Sequence, residues 1–117
     1  MSELTVTRIA TFQEPAYVAT WLGLKPSACA APLEVPGLLV KSVQFDGVWG
    51  SGGEIILEGS IDGERYFPLH TPSGEDVRAV YPALIAVAEC CRFIRPRILK
   101  GDATTAIDTL LLAGRLR

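Results

Sequence analysis

Residues 40–49 have the sequence VKSVQFDGVW, in which apolar and polar side chains alternate. Val43 and Phe45 fall on one side of an extended chain, and the polar residues beside them fall on the other. Because successive side chains of a β-strand point to opposite faces, this period of two predicts a half-buried strand.

A second strand is predicted at Glu54 to Ser60. Ile55 and Leu57 share one of its faces. The other face carries Glu54 and Glu58, and we expect it to be solvated because charged side chains are rarely buried without a partner.

Turn signals connect these strands to a third. The glycine-rich residues 47–53 are interpreted as a hairpin loop. Asp62-Gly63 suits the positive φ of a tight turn. Arg65 to Leu69 is then predicted to return as a strand, with Tyr66 or Phe67 packing inward. The three strands together predict a meander.

Three further segments carry weaker strand signals. Tyr17 to Leu22 is rich in β-forming residues, with its odd-numbered side chains on one side. Ala83 to Glu89 suits either a strand or a short helix. Phe93 to Leu99 is extended, and Pro96 places it at a sheet edge or a bulge because proline donates no backbone hydrogen bond.

The last predicted strand, Thr104 to Ala113, contains Leu110, Leu111 and Leu112 in succession. Such a strand is apolar on both faces. One face packs on the core of its own domain, and we expect the other to be buried against a second surface.

Eleven glycines and eight prolines divide the 117 residues into short pieces, the spacing of a β-sandwich or barrel. This length suits one domain. We therefore predict an all-β, antiparallel β-sandwich that spans residues 1–117 as a single domain. Residues 1–14 are interpreted as an extended N-terminal arm or an edge strand. As an arm, Ser2 to Phe12 would be removable without loss of the fold.

Composition argues against several partners. With 11 basic and 13 acidic residues, the chain lacks the basic footprint of a nucleic-acid-binding protein. No apolar run approaches the ~20 residues of a membrane helix, and no secretory signal is recognisable. We expect no membrane partner and a cytoplasmic site of synthesis. The three cysteines are odd in number and two are adjacent, so we expect reduced thiols.

No catalytic motif is recognisable. His70 is the one histidine, in a turn-rich stretch, and is interpreted as a solvated polar residue. No Gly-x-Ser-x-Gly elbow is present. The glycine-rich residues 47–53 lack the Gly-Lys-Ser/Thr ending of a phosphate loop. We therefore expect neither an enzyme nor a cofactor or metal site.

The basic residues Arg92, Arg95 and Arg97, followed by Lys100, are the one uneven charge feature. They have two interpretations: a solvated edge strand protected from aggregation by charge, or a contact strip for an acidic protein surface. Trp49 and Tyr66, if exposed, could anchor an interface or stack on a sugar.

Several stretches between residues 33 and 114 resemble small structural proteins of tailed bacteriophages. The stretches are EVPG at 34–37, KSVQFDG at 41–47, LEGSIDG at 57–63, FPL at 67–69, RFIRPR at 92–97 and LLLA at 110–113. They are similar to those of head decoration, or cement, proteins. The chain departs from that pattern at Tyr66-Phe67, where the family tends to carry tryptophan, and in the loop Lys25 to Pro32.

The resemblance implies a jelly-roll sandwich on the capsid surface, located in the virion after assembly in the host cytoplasm. Its expected partners are the major capsid protein and further copies of itself, as a dimer or trimer. The alternatives are a phage tail or neck β-sandwich and a carbohydrate-binding module, which needs a row of exposed aromatic residues. The candidate interface residues are Leu4, Val6, Trp49, Tyr66, Arg92, Arg95, Arg97, Leu110 and Leu112.

Overall fold

The structure, a computed structural model, describes residues 4–9, 16–26, 30–35 and 40–114. Within these ranges the chain forms β-strands and no helix. The strands are β1 (Leu4–Ile9), β2 (Ala16–Leu24), β3 (Leu33–Glu34), β4 (Val40–Val48), β5 (Glu54–Ser60), β6 (Phe67–Pro68), β7 (Arg78–Ala79), β8 (Ala83–Val87), β9 (Phe93–Lys100) and β10 (Ala106–Gly114).

The strands form two antiparallel sheets. The first sheet has the order β1-β2-β10-β4-β8, and the second has the order β3-β9-β5-β6, with β7 also paired to β5. Counted from both ends inward, β2 pairs with β10, β3 with β9, β4 with β8, and β5 with β6 and β7. A long antiparallel ribbon folded over itself in this way is a jelly roll. The prediction of an all-β sandwich is confirmed.

The core lies between the sheets and is built from the inward-facing rows that alternation predicts. Val43 and Phe45 of β4 face Ile55 and Leu57 of β5 across the sandwich, and all four are fully buried. Leu111 of β10 lies in the same core. Burial of one large aliphatic or aromatic side chain contributes about 1.5–3 kcal/mol, so these rows dominate the stability of the fold.

The predicted meander is wrong, because β4 and β5 lie in different sheets. Residues 47–53 cross from one sheet to the other and are not a hairpin loop. The crossing is tight: a Cβ on Gly53 would lie 2.0 Å from the carbonyl oxygen of Trp49. The alternation of apolar and polar residues predicts which face of a strand is buried. A hairpin within one sheet and a crossing between two sheets are both compatible with that pattern. The segment from Arg65 does return beside β5 as β6, but neither Tyr66 nor Phe67 joins the core.

Asp102 joins two loops at one end of the sandwich. Its carboxylate accepts hydrogen bonds from the backbone N–H of Ser51 at 2.8 Å and the hydroxyl of Thr104 at 2.6 Å. These hydrogen bonds, that from the Thr104 hydroxyl foremost, lower the pKa of Asp102 to about 2. A Cβ on Gly50 would lie 2.4 Å from the Asp102 Oδ1, so glycine is needed beside this carboxylate.

Pro96 lies in β9, opposite Leu57 of β5. The backbone N–H and C=O of Leu57 bond to Val77 and Leu69, on the side away from β9. The backbone nitrogen of Pro96 therefore points to the opposite side, beyond the two residues that β3 contributes to the sheet. The predicted edge position of this strand is wrong, because β9 lies between β3 and β5; the proline is tolerated because its nitrogen points away from β5, past the end of the short β3.

Residues 4–9 form an edge strand, whereas residues 1–3 and 10–14 of the predicted arm lie outside the described residues. Strand β1 pairs with β2 from Leu4 opposite Trp21 to Ile9 opposite Ala16. Leu4 also packs against the core. The described part of this segment is thus part of the first sheet.

Deletion of residues 1–9 is expected to destabilise the fold, since it uncovers Trp21 and leaves the outer edge of β2 unpaired. We expect the free energy of unfolding to fall by about 2 kcal/mol, measured by urea unfolding. Deletion of residues 1–3 alone is the control. A nine-residue truncation with unchanged stability would show that the segment is a dispensable arm.

Candidate functional site

The outer face of the first sheet carries little charge. Its side chains form two cross-strand rows, Thr5-Thr20-Leu110-Gln44-Leu84 and Thr7-Val18-Leu112-Ser42-Ala86. Charged side chains occur in the described part of this face at one end only, as Asp46 opposite Asp108. We call this surface the neutral face.

Several apolar side chains of the neutral face are exposed to solvent. Leu22, Leu84 and Leu112 have exposed fractions of 65%, 73% and 45%. Five strands at ~4.8 Å spacing and six residues at ~3.4 Å give a surface of about 500 Å² in projection. The leucines occupy only part of this area, and the rest is uncharged polar surface.

The geometry at β2 places Leu22 on this face. Between Trp21 and Leu24, β2 takes one residue more than β10 and forms a bulge. Gly23 has a φ of +63° there, and its N–H donates to the Asp108 Oδ1 at 2.7 Å. Alternation turns Leu22 outward after the buried Trp21, and the extra residue of the bulge returns Leu24 to the buried side.

The outer face of the second sheet is charged and internally paired. Glu58 is 3% exposed, contrary to the predicted solvated position. Its carboxylate accepts hydrogen bonds from Arg95 Nε at 2.9 Å and Arg97 Nε at 3.1 Å. Burial without these two guanidinium groups would be costly, because an unpaired charge is expensive in a protein interior. The register of β5 against β9 brings the three residues together.

Tyr66 packs against this cluster, beneath Arg95. The Arg95 guanidinium carbon is 3.7 Å from the centre of the Tyr66 ring, a cation–π contact. Burial raises the pKa of the Tyr66 hydroxyl, and the charge of Arg95 opposes the rise. Tyr66 is thus engaged within the molecule and is not a free aromatic anchor.

The remaining basic residues of the predicted strip are also paired. Arg92 Nε lies 2.8 Å from Glu34, and Lys100 Nζ lies 3.8 Å from Glu54. Because these cations already pair with carboxylates, the strip attracts an acidic protein surface only weakly. The structure therefore favours neither of the two sequence interpretations: the strip is an ion-paired sheet face.

The predicted interface residues fall in three places. Leu110 and Leu112 lie together on the neutral face. Leu4 and Val6 face the space between the sheets at the β1 edge, and Trp49 packs partly against the core. The basic residues and Tyr66 lie on the second sheet. Sequence reasoning missed Leu84, because the periodicity of residues 83–89 left helix and strand open. It also left Leu22 out of the candidate interface, although alternation with Trp21 places Leu22 on the opposite side of the strand.

His70 is held by two carboxylates. Its Nδ1 and backbone N–H contact the carboxylate of Glu89, and its Nε2 lies 3.5 Å from Asp76. Hydrogen bonding to Glu89 raises the pKa of His70, against the opposing effect of burial. Burial alone would raise the pKa of Glu89, but the hydrogen bonds from His70 outweigh it and lower that pKa. His70 is an ion-pair partner and not simply a solvated loop residue.

A groove of about 590 Å³ opens beside this histidine, between β6 and the segment that joins β8 to β9. Phe67, Pro68 and Leu69 form its apolar wall, and Cys90 and Cys91 lie on the other side. Burial raises the pKa of the Cys91 thiol, which disfavours the thiolate that a nucleophilic cysteine needs. Both ring nitrogens of His70 face carboxylates, so neither is directed at a thiol as a base.

The described residues contain no cluster of three or more histidine, cysteine or acidic side chains able to hold a metal ion. They likewise contain no helix long and apolar enough to cross a bilayer. Comparison of the chain with family models, with curated proteins and with solved structures finds no match.

Glu58→Gln is expected to lower the free energy of unfolding by about 2 kcal/mol, because it removes the negative charge that two arginines share. The partial exposure of both arginines keeps the loss below that of a fully buried pair. Urea unfolding measures the difference. Glu64→Gln, at an exposed turn position, is the matched control, and a Glu58 variant as stable as this control would contradict the role of the pair.

Stability is expected to depend on the protonation of His70. Because its pKa in the folded protein is raised above 6.5, its contribution is fully present below pH 6.5 and is lost as the pH rises through the raised pKa. The free energy of unfolding of the wild type should therefore fall over this range, and that of His70→Gln should not.

An NMR titration gives an independent check of the same histidine. Glu89→Gln removes the principal partner, so the pKa of His70 should move back toward 6.5. An unchanged titration in that variant would mean that Glu89 does not set the pKa of His70.

Proposed function

We propose that this chain is a virion structural protein of a tailed phage, a decoration protein that binds the head shell and stabilises it. The observation that carries the proposal is the contrast between the two outer faces. The second sheet pairs its charges within the molecule, whereas the first sheet leaves exposed leucines without cover. The resemblance between residues 33 and 114 and phage decoration proteins supports the same role.

The neutral face is the surface proposed to contact the shell. Its threonine, serine and glutamine side chains accept or donate hydrogen bonds without the desolvation cost of a charge. Its leucines supply apolar contact. A partner of this face is therefore expected to present a flat, mostly uncharged surface, such as the outer surface of major capsid protein subunits.

Modest affinity per copy is sufficient for this role. A shell offers many equivalent sites, and a molecule that touches two neighbouring subunits gains from their high effective concentration. Such contacts oppose the separation of subunits and so stabilise the shell, without any chemical step.

The carbohydrate-binding alternative finds less support. It needs aromatic rings in a row on one face, but Trp49 packs against the core and Tyr66 lies under Arg95. Phe67 and Tyr81 are exposed, one on β6 and the other before β8. Glycan-array binding by the isolated protein would favour this alternative over shell binding.

Co-sedimentation with phage heads that lack the chain tests the proposal. We expect the wild type to bind, and we expect Leu112→Asp to weaken binding by about tenfold or more, as a charge inside an interface does. Leu22→Asp, at the end of the face that carries Asp108, should also weaken binding, but less. Glu64→Lys, on the other side of the molecule, should bind as the wild type does.

Particle stability is the second readout. Heads with the chain bound should survive heat and osmotic shock better than heads without it. Equal survival would refute the stabilising role, and binding that Glu64→Lys abolishes while both leucine variants retain it would refute the proposed surface.

A further inference from the structure

One side of the sandwich lies between β8 and β6, which are edge strands of the two sheets. Two hydrogen bonds at His70 join the sheets there. The Ala88 N–H, directly after β8, donates to the His70 carbonyl at 2.8 Å, and the His70 N–H donates to the Glu89 Oε1 at 2.7 Å. Both bonds use the backbone of His70, so they do not depend on the protonation of its ring.

The imidazole of His70 adds a third segment to this connection. Its Nδ1 contacts the Glu89 carboxylate, and its Nε2 lies 3.5 Å from the Asp76 Oδ1. Asp76 closes the turn formed by residues 71–75 and also pairs with the Arg78 Nη2 at 3.3 Å. Among the described residues, Asp76 and Glu89 are the charged groups that pair with the imidazole. One ring therefore bridges two carboxylates from different segments.

Only a protonated imidazole can donate from both nitrogens, because the neutral ring carries one N–H and one lone pair. Loss of the proton therefore leaves a lone pair facing a carboxylate. Glu89 keeps its hydrogen bond from the His70 N–H, whereas Asp76 has the longer ring contact and a second partner in Arg78. The remaining ring proton is best placed on Nδ1, toward Glu89, and the lone pair of Nε2 then faces Asp76.

We propose that His70 is a pH-sensitive latch, in which the imidazolium holds Asp76 and loss of its proton releases Asp76 and loosens the turn at residues 71–75. The hydrogen bonds to Ala88 and Glu89 persist, so the sheets stay joined while the turn opens. This turn follows directly on His70, which contributes to the wall of the groove. The inference does not rest on the proposed shell binding.

The latch is weak because its groups are exposed. The side chains of His70 and Asp76 are 43% and 38% exposed, and solvent screens ion pairs of this kind. Release of Asp76 is therefore expected to increase opening of the turn by about two- to fivefold. Hydrogen bonding to Glu89 raises the pKa of His70 above 6.5, so the increase occurs above pH 6.5.

NMR of the ¹⁵N-labelled full chain tests the placement of the ring proton. Above the pKa of His70 we expect the Nδ1–H tautomer, because its proton then stays on Glu89. A solvated histidine favours the Nε2–H tautomer. An Nε2–H tautomer for His70 would show that the ring keeps Asp76 and releases Glu89, and would overturn the inference.

Amide hydrogen exchange measures the release itself. The Thr71 N–H donates to the Glu75 carbonyl at 2.7 Å, and the Gly74 N–H donates to the Thr71 carbonyl at 2.9 Å, so both amides report opening of the turn. After correction for the intrinsic pH dependence of exchange, their rates should rise by about two- to fivefold as the pH passes the pKa of His70. Amides of β4 reveal any contribution from global unfolding.

Two variants separate the latch from other effects of pH. Asp76→Asn should remove the step in exchange, because an uncharged amide is not repelled by the neutral ring. Glu75→Gln is the matched control and should keep the step, since this carboxylate lies in the same turn but bonds to Ser73. Circular dichroism verifies that both variants fold. A wild type without the step, or a step that Asp76→Asn retains, overturns the inference.

Discussion

Burial of the inward rows against each other is the constraint on which the rest of this molecule depends. The side chains of a strand alternate with a period of two, so a buried Leu111 forces Leu110 and Leu112 outward. The same logic places Leu84 outward once Val87 of β8 is buried. The neutral face is thus the geometric complement of the core, and a one-residue slip of register would exchange the two.

The outer face of the second sheet carries charged side chains that pair with one another. Glu58 is buried only because two arginines from β9 share its carboxylate, and one of those arginines also covers Tyr66. The charged side chains on this sheet form ion pairs within the chain, so this surface exposes few unpaired charges to solvent. On the neutral face, where Asp46 and Asp108 are the charged side chains of the described residues, the leucines remain open to solvent. This asymmetry is what distinguishes the sandwich from one that is evenly solvated on both sides.

Much of this architecture could be predicted from local pattern, and the failures have a common cause. The alternation in residues 40–49 and 54–60 located β4 and β5 and their buried faces, and the three successive leucines identified a strand apolar on both sides. Alternation carries no information on which strand lies next to which, so the meander was wrong. The burial of Glu58 was missed for the same reason, because its partners are nearly forty residues away in sequence and meet it only through the register of β5 and β9. The groove beside His70 depends on three separate segments and has no local signature.

The position of β10 has a consequence for how the chain is made. It is the last strand in sequence, yet it occupies the centre of the first sheet, between β2 and β4. While the chain is being synthesised, those two strands have no neighbour between them, and both edges stay open until the final strand emerges. Non-local pairing of this kind folds slowly, on the order of milliseconds to seconds. The first sheet, and with it the neutral face, is therefore complete only after β10 has been synthesised and has inserted between β2 and β4.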